Sequence, residues 1–214
     1  MDNFTDTIVA PATPPGVGGV GIVRVSGKLT ENIAKTMLGN LPQPRTATYK
    51  SFRDTSGQKI DSGLVLYFPA PLSFTGESVL EIQGHGGPYL QSLIIDVILD
   101  LGARYAKPGE FSQRAFLNGK LDLVQAEAIP DLINSGTKQA ARAAFRSLTG
   151  VFSNYVDVLS KKLLKLRIHI EAAIDFPEEE IDFLSDESLL NRITDCEQAF
   201  SELLNKTEQG TLLR

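Results

Sequence analysis

Apolar positions follow two different periods along this chain. Up to Gly102 they come in short runs. Thr7–Val9, Gly21–Val25, Thr46–Phe52, Leu64–Phe68 and Val79–Gln83 read as strands, rich in β-branched or aromatic residues and bounded by turn-forming stretches such as ATPPGVGG and DTSGQ. In the last run Leu80 and Ile82 alternate with Glu81 and Gln83, which places the two pairs on opposite faces. Two helical patterns interrupt the strands. Thr30 is placed to cap a short helix with Ile33, Met37 and Leu38 on one face, stopped by Gly39. Leu90, Leu93, Ile94, Val97, Ile98 and Leu101 are spaced as one face of a second helix, with Gly102 as terminator.

From Ser135 the period is helical throughout. Ala141, Phe145, Leu148, Phe152, Tyr155, Leu159, Leu163, Leu166, Ile170 and Ile174 recur in steps of three and four. The pattern predicts a single helix running almost to Pro177, ended by Asp175 and Pro177, and more than about 50 Å long at ~1.5 Å per residue. Ser185 is set to cap a second long helix, with Leu189, Ile193, Cys196, Phe200 and Leu203 or Leu204 facing inward. The expected architecture is therefore a mixed α/β first half that changes character after residue 120 and is followed by an all-α hairpin of long helices. A two-helix hairpin is a poor core by itself. It predicts helical partners from another segment or another subunit. Between the two regimes lies Lys107–Ile129, KPGEFSQRAFLNGKLDLVQAEAI, where a Pro-Gly turn, Glu110, Arg114, Asn118 and Lys120 interleave with Phe111, Phe116, Leu117 and Leu121. So many polar groups there suggest a site where two structural units meet.

Composition narrows the partners. A formal net charge of −5 over 214 residues argues against a protein that coats DNA, which needs clustered cations. A lone cysteine, Cys196, excludes an intrachain disulfide and any multi-cysteine zinc site, and fits a reducing cytosol. MDNFTDTIVAPATPP has no basic or apolar leader pattern, and no run approaches the ~18 apolar residues of a membrane span. The expectation is a soluble, cytoplasmic protein. Charge is nonetheless sorted: Lys138, Arg142, Arg146, Lys161, Lys162, Lys165 and Arg167 precede an acidic run from Glu171 to Glu187. This is either an RNA-facing helix beside an acidic docking loop, or a solvated helix and loop that partly neutralise each other.

Two glycine-rich signals fail on context. Gly16-Val-Gly-Gly-Val-Gly21 fits G-x-G-x-x-G formally, but Pro14-Pro15 precedes it and a strand follows, where a dinucleotide site needs a strand before and a helix after. Gly27-Lys28 lacks the rest of a P-loop, since Ile22 occupies the first glycine position and Leu29 follows the lysine. Arg24, inside an apolar strand, points either to solvent or into a cavity. Glu81 has the same ambiguity. Lining a cavity, it would be a partly desolvated carboxylate wanting a donor pair, such as a guanidinium or a 2-amino-4-oxo pyrimidine edge. Gly84-His85-Gly86-Gly87 permits close backbone approach by a ligand and leads into a helix N-terminus; its alternative is a tight turn with an incidental histidine. His169 reads as a surface or packing residue, and two histidines make no metal motif.

Four blocks, ATPPGVGGVGIVRVSG, PLSFTGESVLEIQGHGG, PGEFSQRAFLNGKLDLVQAEAI and EAAIDFPEEEIDF, closely resemble the N-terminal half of the MnmE (TrmE) tRNA-modification GTPases, in order and across almost the whole chain. The resemblance implies an α+β N-terminal domain over 1–118, similar to the tetrahydrofolate-binding domain of glycine-cleavage T proteins, and over 119–214 the first segment of a discontinuous helical domain into which a GTP-binding domain is inserted. It implies a homodimer joined through the N-terminal domains, working with the flavoprotein MnmG as a heterotetramer. The family installs the (carboxymethyl)aminomethyl group at C5 of the tRNA wobble uridine, position 34. A 5-formyl- or 5,10-methylene-tetrahydrofolate carries the one-carbon unit, and GTP hydrolysis with Mg²⁺ and K⁺ drives the cycle. The sequence stops where the GTP-binding domain is expected, so catalytic and metal residues of the GTPase are not expected within it.

The same resemblance implies that Arg24, Glu81 and Lys120 contact 5-formyl-tetrahydrofolate. The chemistry fits: Glu81 can accept both donors of a pterin edge, while Arg24 and Lys120 suit carbonyl or carboxylate oxygens. His85, Glu110, Arg114 and Asn118 follow as second-rank candidates, with Glu110 and Arg114 more suited to fixing the turn. A self-sufficient folate-dependent one-carbon transferase and a non-catalytic dimerisation scaffold are the competing readings.

Overall fold

The computed structural model describes residues 6–175 and 187–211. The chain forms two compact units, Met1–Leu121 and Asp122–Arg214. The first is mixed α/β and the second is helical.

The first unit is built on a six-stranded sheet. Its strands are β1 (Ile8–Pro11), β2 (Gly18–Ser26), β3 (Thr48–Arg53), β4 (Lys59–Phe68), β5 (Val79–Gly86) and β6 (Arg104–Tyr105). They lie in the order β3-β4-β5-β2-β1-β6. Every pairing is antiparallel except β1 with β6. The glycine-rich run Gly16–Gly21 enters β2 and opens no helix, as its context required. Helices α1 (Thr30–Leu38) and α2 (Pro88–Asp100) bury Ile33, Met37, Ile94 and Ile98 with Val23, Val25, Val65, Leu80 and Ile82 of the sheet. Each such side chain contributes roughly 1.5–3 kcal/mol on burial. A third helix, α3 (Glu110–Leu117), follows β6.

Two details differ from the sequence expectation. Thr30 does not cap α1. It is the first helical residue, wholly buried, and its hydroxyl donates to the Ser78 carbonyl at 3.0 Å; Leu29 takes the cap position without a side-chain bond. Inward packing has claimed the hydroxyl. The buried face of α2 is also rotated from the predicted stripe: Gln91 and Ile95 are buried, whereas Leu90 and Leu93 are half-buried. Gln91 fits because Gly21 lies against it, and a Cβ there would stand 2.5 Å from Gln91 Nε2.

The second unit holds α4 (Leu123–Ile133), α5 (Lys138–Leu148), α6 (Val151–Asp175) and α7 (Glu187–Thr211). The single helix expected from Ser135 to Pro177 is therefore wrong. It is two helices, and α4 stands before them as a third. Asp122 opens α4 with a reciprocal capping box to Gln125. Thr137 caps α5 by accepting from the Ala140 amide at 3.1 Å. Gly150, at φ +78°, breaks the chain between α5 and α6. The turn preserves the three-four spacing, so periodicity alone reads through it. At 25 residues, α6 spans roughly 37 Å. It runs antiparallel to α7: Lys162 Nζ donates to the Asp195 carbonyl at 3.2 Å, and Lys206 lies over the Tyr155 ring at 3.3 Å. Leu159, Leu189 and Cys196 are buried, while Leu163, Leu164, Ile168, Leu190, Phe200 and Leu204 stay largely exposed. The predicted stop at Pro177, the cap at Ser185 and most of the acidic loop lie outside the described residues. Among the described residues, no helix is long and apolar enough to cross a membrane.

Candidate functional site

Arg24 on β2 and Glu81 on β5 are register partners at the centre of the sheet. Their neighbours Val23, Val25, Leu80 and Ile82 are fully buried on the helix side, so the pair occupies the opposite face. Arg24 Nε donates to Glu81 Oε1 at 2.9 Å, and a terminal guanidinium nitrogen reaches the same oxygen at 2.7 Å. Oε2 of Glu81 has no protein donor among the described residues. The side chains are 32% and 17% exposed, so the pair is shielded yet reachable. Phe74 and Phe111 flank the guanidinium, their ring centres 5.8 and 5.9 Å from its carbon. A planar cation close to two aromatic rings, bonded to a carboxylate with one open oxygen, makes a site suited to a flat, polar-edged ligand.

Phe74 comes from the turn between β4 and β5, which is tied down by polar contacts. Thr75 Oγ1 and Ser26 Oγ lie 2.7 Å apart, Ser26 Oγ donates to Glu77 Oε2 at 2.7 Å, and Ser73 donates to the Glu77 carbonyl. Asn118 Nδ2 donates to the Thr75 carbonyl at 2.7 Å. Lys120 is exposed, and its aliphatic stem passes the same turn: a Cβ at Gly76 would lie 3.3 Å from Lys120 Cγ. Asn118 and Lys120 are thus brought to the turn that carries Phe74, with no hydrogen bond or ion pair to Arg24 or Glu81 among the described residues.

Glu110 and Arg114 belong to a buried ionic cluster. Arg114 is wholly buried on α3. It donates to Glu110 Oε1 at 2.9 Å, to both Glu77 oxygens at 3.1 and 3.2 Å, and to Asp6 Oδ1 at 2.8 Å and its carbonyl at 3.1 Å. Arg104 adds a second guanidinium to Glu110 and Asp6. Hydrogen bonds from Arg104, with help from the Lys107 amide and Arg114, hold the Glu110 carboxyl down at about 2 despite its burial. Burial lifts the Asp6 carboxyl, but the two arginines outweigh it and leave it lowered. Burial likewise disfavours the charged Arg114, and its carboxylate partners reverse that and raise it.

His85 stands apart. It lies four residues along β5 from Glu81, roughly 13 Å of strand. Its backbone amide and Nδ1 both meet Asp61, at 2.9 and 2.8 Å. Burial raises the Asp61 carboxyl, but the His85 contacts outweigh it and leave it lowered. No cluster of metal-ligating side chains occurs among the described residues. Every predicted site residue lies within Met1–Leu121. Sequence reasoning missed Phe74, Glu77, Asp6 and Arg104. Phe74 and Glu77 sit in the block PLSFTGESV, where Gly76 is a turn signal, and Glu110–Arg114 carries the i, i+4 spacing of a helical ion pair.

Comparison with known proteins matches both units. Residues 7–120 match the family described as GTP-binding protein TrmE N-terminus, and residues 123–214 match the MnmE helical domain. The chain is 58% identical over 209 residues to a tRNA modification GTPase MnmE of Pseudomonas syringae pv. tomato, covering 98% of this chain and 46% of that protein. It is 56% identical over 213 residues to one from Erwinia tasmaniensis, covering 99% and 47%, and 54% identical over 211 residues to one from Coxiella burnetii, covering 99% and 46%. The chain spans about half the length of the curated relatives it matches. With a family match over more than half its length and relatives this similar along nearly all of it, the chain belongs to the MnmE (TrmE) family.

Proposed function

We propose that the first unit is a tetrahydrofolate-binding module, similar in fold to that of glycine-cleavage T proteins, within a tRNA-modification GTPase. The observation that carries this reading is the Arg24–Glu81 pair, with the ring centres of Phe74 and Phe111 5.8 and 5.9 Å from the guanidinium carbon. A pterin offers a flat ring and adjacent N–H donors along one edge. Glu81 holds an open oxygen where such an edge would dock, and the aromatic walls match a flat ring. Arg24 then meets a carbonyl or carboxylate oxygen of the cofactor. Lys120 reaches toward the same ligand from the turn at Gly76. 5-Formyl- or 5,10-methylene-tetrahydrofolate would supply the one-carbon unit.

The rest of the reading follows the relatives, which are named tRNA modification GTPases. The whole protein hydrolyses GTP with Mg²⁺ and K⁺ in a domain outside this sequence, dimerises through the first unit, and with the flavoprotein MnmG modifies C5 of the wobble uridine in the cytoplasm. The exposed leucines of α6 and α7 are covered by further helices of a discontinuous helical domain. Calorimetric titration of 5-formyl-tetrahydrofolate into the chain tests the central claim. Saturable binding that Glu81→Ala abolishes is expected; a folded chain that takes up no folate would refute it.

A further inference from the structure

Arg114, itself on α3, hydrogen-bonds to Glu77, Glu110 and Asp6. Through Glu77 it holds the turn bearing Phe74; through Glu110 it holds the start of α3, one residue before Phe111; through Asp6 it holds the chain leading into β1. The two aromatic walls come from elements that are distant in sequence, and both are anchored to this guanidinium. A neutral side chain there would leave Asp6, Glu77 and Glu110 facing one another with only Arg104 between them. Three carboxylates so placed repel, and the turn and α3 would part.

We infer that Arg114 is a positioning residue that sets the spacing of Phe74 and Phe111 around Arg24. It acts through Glu77 on one wall and through Glu110 on the other, and touches no ligand itself. Its consequence for cofactor affinity rests on the folate reading; the wall spacing does not. Neutralising Glu77 removes its ion pair with Arg114 and weakens the bond that the same carboxylate accepts from Ser26, whereas Arg114 keeps Glu110 and Asp6, so Glu77→Gln should loosen the turn while leaving α3 in place.

The chain contains no tryptophan, so a single introduced indole reports one wall without background. Phe74→Trp and Phe111→Trp are made separately, and acrylamide quenching is measured in each with far-ultraviolet dichroism as the check on folding. Adding Arg114→Gln should raise the quenching constant of both reporters at least about twofold. Adding Glu77→Gln should raise it for the Phe74 reporter alone. Arg114→Lys, which keeps the charge but cannot fork to three carboxylates, should fall between. Unchanged quenching at position 74 in both the Arg114→Gln and Glu77→Gln backgrounds would overturn the inference. So would an equal rise at both positions in Glu77→Gln, which would mean general loosening. If Arg114→Gln does not fold, the near-isosteric Glu77→Gln decides alone. Titration with 5-formyl-tetrahydrofolate completes the test: affinity roughly tenfold weaker in Arg114→Gln is expected. Undiminished affinity alongside a displaced wall would overturn the positioning role. A parent chain that binds no folate would remove the functional reading while leaving the quenching result standing.

Discussion

Arg24 and Glu81 face each other directly across β2 and β5, and the guanidinium holds one carboxylate oxygen at 2.7 Å while the other stays open. Of the two donor pairs that suit a desolvated Glu81, a guanidinium and a pterin edge, the protein itself supplies the first. On the folate reading, a ligand edge would have to share or replace that donor.

The pair should matter far more to binding than to folding. Both side chains are partly exposed, and such ion pairs contribute about 0–1 kcal/mol. A double-mutant cycle over Arg24→Ala and Glu81→Ala, read by chemical denaturation, should give a coupling within that range. Titration with 5-formyl-tetrahydrofolate should instead lose more than about tenfold in affinity for either single change, the cost of an unmade charge-assisted bond. A large folding defect with intact binding would make the pair a structural strut.

Acid should act on the first unit through Glu110. Its carboxyl sits at about 2 against an ordinary value of 4.5, so its folded-state value is depressed. Its stabilisation is fully present above about pH 4.5 and is lost as pH falls toward 2. The loss is on the order of 3 kcal/mol. Denaturation midpoints between pH 6 and pH 2 should therefore fall less steeply in Glu110→Gln than in the parent, although the variant begins less stable. Parallel pH profiles would show that the cluster does not depend on this charge.

Gly150 separates α5 from α6 at φ +78°, a conformation in which side chains cost roughly 1–2 kcal/mol. Gly150→Ala should destabilise the second unit by about that much. Its Cβ would also press on Gln125, 3.2 Å away. Thr149→Ala, at the preceding cap, should lie within about 0.5 kcal/mol of the parent. Thermal melts followed by helix dichroism check both. A neutral or stabilising Gly150→Ala would mean that α5 and α6 can fuse into the continuous helix that the apolar period suggested.

That turn illustrates what the amino-acid pattern reveals and what it hides. Strands whose faces alternate cleanly, such as Val79–Gln83, are legible because burial acts on every second residue. Helix faces are legible in kind, but the phase of α2 slipped because Gly21 made room for Gln91, a contact between residues distant in sequence. The break at Gly150 leaves no mark on the periodicity, which a one-residue left-handed turn can preserve. The site shows the same division. Arg24 and Glu81 stood out as charges within apolar strands. Phe74, Asp6, Glu77 and Arg104 did not, because ordinary aromatic and charged residues acquire a role only when a turn, a helix and the chain before β1 converge.

Lys120 separates a ligand-contacting role from a turn-supporting one. Its ammonium group lies on an exposed side chain whose stem lies along Gly76, and it takes part in no ion pair among the described residues. Removing an exposed, unpaired charge changes stability by no more than about 0.5 kcal/mol, so Lys120→Ala should melt with the parent. A ligand carboxylate would nevertheless lose a cationic partner, weakening 5-formyl-tetrahydrofolate binding several-fold. The affinity gap between variant and parent should narrow as salt rises, because an exposed charge interaction is screened within about 10 Å at 0.1 M ionic strength. Equal affinities at low salt, together with a lowered melting temperature, would assign Lys120 to the turn that holds Phe74 and leave the ligand to Arg24 and Glu81.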